Sequence, residues 1–135
     1  MLKKAASVLV TGGAGYIGSH TCKALAAAGY QPVSLDNLSL GHRWAVRWGP
    51  LVEADLSNTD AVQRALREYQ IEAVNHFAAS AYVADSMRDP AAYYRNNVLT
   101  TLALLNATIS MWSIPQMARR QSRISCPSIL TSKQW

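Results

Sequence analysis

Ser7-Val8-Leu9-Val10-Thr11-Gly12-Gly13-Ala14-Gly15-Tyr16-Ile17-Gly18 is the stretch that decides the fold. It opens on a short apolar run rich in β-branched side chains that ends abruptly in Thr-Gly-Gly, the pattern of a buried parallel strand. From Tyr16 to Ala28, Ile17, Cys22, Leu25 and an alanine cluster predict a helix, and Gly29 stops it at its C-terminal cap. Glycine spacing alone is a weak signal, because glycines mark many turns. A strand before it and a helix after it make it a strong one for dinucleotide binding. Gly12 permits the sharp turn, Gly15 lets a pyrophosphate approach bare backbone, and Gly18 allows the helix to pack close to the sheet. The helix N-terminus adds free N–H groups and a favourable dipole. The competing explanation is a plain glycine-rich turn without a ligand.

Outward from that turn the chain alternates strands and helices. Pro32-Val33-Ser34-Leu35 predicts a second strand ending at Asp36, and residues 37–49 read as loop, with a helical turn at Trp44-Ala45-Val46. Leu51-Val52-Glu53-Ala54 is a third strand. Ser57, three positions before Asp60, reads as a capping box for a helix running to about Tyr69, with Val62, Ala65, Leu66 and Tyr69 at helical spacing. Ala73 to Phe77 is a fourth strand. Pro90 then opens a long helix as a first-turn proline, with Val98, Leu102, Leu105 and Ile109 on one side. This order predicts an α/β, doubly wound Rossmann fold whose parallel sheet runs 3-2-1-4.

Asp36 closes the second strand eighteen residues after Gly18. A carboxylate there can accept both ribose hydroxyls of an adenosine and would repel a 2′-phosphate, and no arginine adjoins it, so NAD is preferred over NADP. The competing role for Asp36 is a solvated cap on a turn. Asp55, after the third strand, is either a polar partner for an adenine or a turn or helix-capping carboxylate. His20, His42 and His76 have no ligand spacing, so structural roles are expected and no metal is assigned. Trp44 and Trp48 are expected to pack the loop after Asp36. Cys22 is expected as a buried thiol, and it lies far from Cys126.

The chain has 135 residues, enough for one domain, half of them hydrophobic and 16% charged. Its net charge of +5 is unevenly spread, since Arg119, Arg120, Arg123 and Lys133 follow residue 109 with no acid among them. The basicity belongs to the tail and not to a stripe with stacking aromatics, so a nucleic-acid partner is not expected. No apolar run spans a bilayer, and Met1–Ala6 lacks the apolar core of a secretory signal, so no membrane partner and a cytoplasmic chain are expected.

With these residues in hand, the chain resembles the opening of the UDP-glucose 4-epimerase family, within the extended short-chain dehydrogenase/reductase group. The segments that carry the resemblance are Val8–Thr21, Leu35-Asp36-Asn37-Leu38-Ser39, Glu53-Ala54-Asp55-Leu56, His76-Phe77-Ala78-Ala79 and Tyr93-Tyr94-Arg95-Asn96-Asn97-Val98. It implies that Tyr16 and Ile17 give backbone contacts to the pyrophosphate of NAD. Asp36 and Asn37 would hold the adenosine ribose, and Asp55 and Leu56 would frame the adenine. Phe77, Ala78 and Ala79 would line the middle of the cofactor, with Asn96 near its phosphates or nicotinamide side. A nucleotide sugar is the implied substrate, and the family is often homodimeric.

Two departures stand out. Ala81-Tyr82-Val83-Ala84-Asp85-Ser86 is closer to a branch that also includes UDP-arabinose 4-epimerases, which leaves the sugar open. The family's base is a tyrosine with a lysine four residues on, and none of this chain's tyrosines has that lysine. Residues 1–112 are therefore expected to form a partial NAD-binding domain without the later strands and the sugar-binding half. Residues 113–135 are a basic, patternless tail of the kind a frameshift or fusion in the coding sequence produces. The expected function is NAD binding without turnover, the alternatives being a non-catalytic NAD-binding module, a piece of a UDP-arabinose 4-epimerase, or a chain destabilised by its open fourth strand.

Overall fold

The computed structural model describes residues 5–79 and 87–111. The expectations for Ala81–Ser86 and for the tail, Cys126 included, lie outside the described residues.

Strand β1 (Ser7–Thr11) is buried along its whole length, as its unbroken apolar run requires. It is flanked in parallel by β2 (Gln31–Asp36) and β4 (Ile71–His76), and β3 (Leu51–Glu53) pairs with the far side of β2. The sheet order is β3-β2-β1-β4, as expected for a doubly wound Rossmann sheet. Helix α1 (Tyr16–Ala27) covers one face, where Val8 and Val10 meet Cys22 and Leu25. The other face carries the larger core: Leu9, Val33 and Leu35 pack under Val62 and Leu66 of α2 (Thr59–Glu68) and under Leu104 and Ala107 of α4 (Thr100–Met111).

Several boundaries differ from the sequence expectation. β4 begins at Ile71, because pairing with Ser7 extends the ladder through the exposed Glu72, where apolar patterning fails. The helical turn in the loop is a 3₁₀ turn at Arg43–Ala45. The cap of α2 is Asn58, whose side chain accepts the Ala61 N–H at 3.1 Å, and not Ser57. Ser57 instead turns toward the preceding loop, where its N–H and its hydroxyl both donate to Asp55 Oδ1.

α1 ends as expected. Gly29 has φ +85° and donates to Ala26 O, and Tyr30 donates to Leu25 O, which closes the helix in a Schellman motif. The long last helix is interrupted. Pro90 opens a short α3 (Pro90–Tyr94) capped by Asp89, then Arg95–Leu99 forms a π-helical turn, and α4 follows. Leu104, Ala107 and Thr108 face the core, while Val98, Leu102, Leu105 and Ile109, the row read from the sequence, face outward. Among the described residues, no helix is long and apolar enough to cross a membrane.

Candidate functional site: a cavity beyond the carboxyl ends of the strands

A cavity of about 540 Å³ opens where the chain leaves β1, β2 and β4, at the point where the strand order reverses. Open α/β sheets place ligands in such a crevice. Every site residue singled out from the sequence lines it: Gly12, Gly15, Tyr16, Ile17, Gly18, Asp36, Asn37, Asp55, Leu56, Phe77, Ala78, Ala79 and Asn96. Topology explains the convergence, since each belongs to a strand's carboxyl end or to the helix or loop that follows.

The glycine turn is shaped by close backbone approach. Gly12 has φ +70°, and a Cβ there would lie 2.9 Å from both Ala78 N and the Phe77 carbonyl carbon. A Cβ on Gly18 would lie 2.0 Å from Gly12 O, so the first turn of α1 sits directly on the loop. A Cβ on Gly15 would press on Gly12 O at 3.3 Å, a tight contact but its sole one within 4 Å among the described residues, so the bare backbone here faces the cavity. Because Gly15 is the N-cap, no side chain competes for the first-turn N–H groups of α1. Tyr16 and Ile17 hold their side chains in solvent, which leaves their backbone to face a ligand.

Asp36 is the buried carboxylate of the cavity, 8% exposed. Its Oδ2 accepts Ala14 N–H at 3.0 Å and its Oδ1 accepts Leu38 N–H at 2.8 Å, which fixes both oxygens at the lip of the glycine turn. The second bond also holds Leu38 at φ +58°, an uncommon backbone for a residue with a side chain. Asn37 links two loops: its amide donates to Asp55 Oδ2 at 2.8 Å, and its oxygen accepts Ser39 N–H at 3.0 Å. Asp55 lines the cavity, and its Oδ1 takes the Ser57 hydroxyl and N–H, the turn role expected of it. The Ser57 bonds, followed by that of Asn37, pull the Asp55 carboxyl below its ordinary value of 3.8.

Sequence reasoning missed part of the wall. Ser39, Leu40, Gly41 and His42 also line the cavity, as does Thr100. His42 N–H donates to Ala14 O at 3.0 Å, and a Cβ on Gly41 would come within 2.8 Å of Ala14 Cβ, so the loop lies tightly over the turn. No periodicity marks this loop. Its one signal is its position, directly after Asp36. His42 also stacks on Trp44 with ring centroids 5.5 Å apart, while Trp48 lies under the Lys23 ammonium at 5.9 Å. Trp44 thus stacks on its own loop and Trp48 meets α1, and both stay exposed, so neither packs the loop as fully as expected. Among the described residues, no group of three or more His, Cys, Asp or Glu side chains could hold a metal ion.

Residues 8–116 match the NAD dependent epimerase/dehydratase family. The UDP-glucose 4-epimerase of Rhizobium meliloti (strain 1021) is 51% identical over 104 residues, which cover 77% of this chain and 32% of that protein. The crystal structure of UDP-glucose 4-epimerase from Brucella ovis in complex with NAD superimposes with a TM-score of 0.74 at 57% identity, covering 76% of this chain and 32% of that one. That of the Thermus thermophilus enzyme, also a complex with NAD, gives 0.72 at 44% identity, with 75% and 33% covered. The chain thus spans about a third of the length of these relatives.

Proposed function

The chain belongs to the NAD dependent epimerase/dehydratase family, and on that premise we propose that its cavity holds NAD. The observation that carries the proposal is the buried Asp36 carboxylate, fixed by two backbone N–H groups beside the glycine turn. Each of its oxygens keeps a lone pair for a ribose hydroxyl, and its charge disfavours a 2′-phosphate. The residues fit the cofactor on their own geometry: a Cβ-free approach at Gly15, uncapped N–H groups on α1, and a carboxylate in reach of both. Phe77, Ala78, Ala79 and Asn96 would border the rest of the cofactor.

NAD, when bound, supplies a hydride acceptor. We propose that this cavity contributes to UDP-glucose/UDP-galactose interconversion by transient oxidation at C4, with a nucleotide sugar as substrate; the likeness to proteins named UDP-glucose 4-epimerase supports this reading. The 135 residues contain no tyrosine followed four positions later by lysine, so this chain contributes cofactor binding and not the base. Calorimetric titration with NAD is the test. Saturable binding by the soluble, folded chain is expected, and its absence would sink the proposal. Measurable conversion of UDP-galactose by the chain alone would overturn the second half.

The outward row on the last helix supports a homodimer. Val98, Leu102, Leu105 and Ile109 are spaced four, three and four residues apart, an a/d-type seam, and all are exposed. A second copy presenting the same row would cover it in a two-fold contact. Sedimentation equilibrium should give twice the monomer mass at micromolar concentration, and Leu105→Glu should return the chain to monomer. A strictly monomeric native chain would contradict the assignment.

A further inference from the structure

His76, at the end of β4, is a partly buried titratable group that cofactor binding as described does not use. Both its ring nitrogens are engaged: Nδ1 with Thr11 Oγ1 at 2.6 Å and Nε2 with Thr101 Oγ1 at 3.0 Å. The surrounding hydroxyls fix which nitrogen carries the proton. Thr11 Oγ1 accepts the Ala78 N–H at 3.4 Å and, at 3.2 Å, the Phe77 N–H that it shares with Thr11 O at 3.0 Å, so its own hydrogen goes to Nδ1. The Thr101 hydroxyl donates to Asn97 O at 2.6 Å, which leaves its oxygen to accept Nε2–H. The bonds run in one direction, from the Phe77 and Ala78 amides through Thr11, His76 and Thr101 to a carbonyl of the π-helical turn.

We propose that His76 is a positioning residue for the cavity: as the neutral Nε2–H tautomer it ties the end of β1 to the π-helical turn, and so holds the Phe77–Ala78 wall and the Asn96 rim in register. The role presupposes the NAD-binding reading of the cavity. Both ends of the relay border it, since Phe77, Ala78 and Asn96 line the cavity and Gly12 packs against the Phe77–Ala78 peptide. Protonation breaks the arrangement by simple counting. An imidazolium donates from both nitrogens, so Thr11 Oγ1 would have to accept three N–H groups with two lone pairs. The hydroxyl hydrogen must then turn to where an amide now sits, so Oγ1 loses either the Ala78 N–H or its share of the Phe77 N–H, which Thr11 O also holds at 3.0 Å.

The elements His76 joins leave its proton affinity to burial alone. β1 and α4 contain no charged residue, and neither Glu72 on β4 nor Arg95 in the π-helical turn shifts it. Burial pushes the imidazolium below its ordinary 6.5. The ordered wall is accordingly complete above that value and is lost as pH falls through the lowered folded-state pKa.

The test is NAD titration of the 135-residue chain from about pH 8 to about pH 5, alongside His76→Asn, whose amide oxygen can take the place of Nδ1 but cannot titrate. The native chain should weaken about three- to tenfold on acidification, the worth of one hydrogen bond, and His76→Asn should stay flat. A flat native profile, or an equal loss in His76→Asn, would overturn the role. Should NAD fail to bind at every pH, the NAD-free chain still decides. Imidazole ¹⁵N spectra should give the Nε2–H tautomer, and His76→Phe should speed hydrogen exchange at the Ala78 amide. An Nδ1–H tautomer or unchanged exchange would refute it.

Discussion

At Gly12 a left-handed backbone and a crowded neighbourhood coincide, whereas at Gly29 the backbone is left-handed but a Cβ would meet nothing within 4 Å. Alanine separates the two effects. Gly29→Ala should cost about 1 kcal/mol of stability, from backbone conformation alone, with NAD affinity unchanged. Gly12→Ala should cost more, about 2–4 kcal/mol, because strain adds to overlap with the Phe77–Ala78 backbone, and it should also weaken NAD binding. Denaturant unfolding together with calorimetry checks both. Asp55 carries the pH dependence at this scale. Because its folded-state pKa is lowered, its contribution is complete above 3.8 and is lost as pH falls through the lower folded value. The stability difference between the native chain and Asp55→Ala should therefore shrink below about pH 4, and a difference that stays constant to about pH 2 would contradict the Ser57 and Asn37 bonds. Asp36 was legible in the sequence because its place at a strand end is fixed by topology. The commitment of Asn37 to Asp55 was not, since it spans two loops that no local pattern relates.

Among the elements, the last helix illustrates how far periodicity can be read. An apolar row at helical spacing is plain, but two rows exist, and the sequence does not say which one the sheet takes. Small residues decide it: Ala107 and Thr108 beside Leu104 let α4 lie close over Val62 and Leu66. In urea unfolding below the concentration at which the chain dimerises, Leu104→Ala should destabilise it by about 2–5 kcal/mol, whereas Leu105→Ala should change it by less than about 0.5 kcal/mol. Equal effects would mean that the two faces are exchanged. The α2 cap lies one residue from its expected place for a comparable reason. Ser57 and Asn58 are both good caps; Asn58 takes the Ala61 N–H while Ser57 is turned toward Asp55, a contact no local pattern shows. Removing that cap by Asn58→Ala should cost about 1 kcal/mol. Gly29 announces the end of α1, but after α2 the same left-handed place beyond the cap is held by Gln70 at φ +51°, where no glycine signals the stop.

For the whole molecule, strand order follows from the alternation of strands and helices plus the handedness of crossovers, and the sheet has it. Among the described residues β4 is an edge, with exposed Glu72 and Ala73, while the main core lies between the sheet and two helices. Stability should then depend visibly on ligand. With NAD at about a hundred times its Kd, the folded state should gain about 2.7 kcal/mol, and thermal melts should shift upward in proportion to the logarithm of NAD concentration. A melt insensitive to NAD would contradict a native cofactor site. The π-helical turn at Arg95–Leu99 sets a further constraint on the molecule. It holds one residue more than α-helical winding needs, and the Thr100 and Thr101 hydroxyls bond back to the carbonyls of Asn96 and Asn97. Deleting any one residue there would leave an unbroken helix but rotate all that follows by about 100°. Either Leu104 and Ala107 would leave the sheet, or Asn96 would leave the cavity rim. Substitutions in this segment can be absorbed, but its length is counted to the residue.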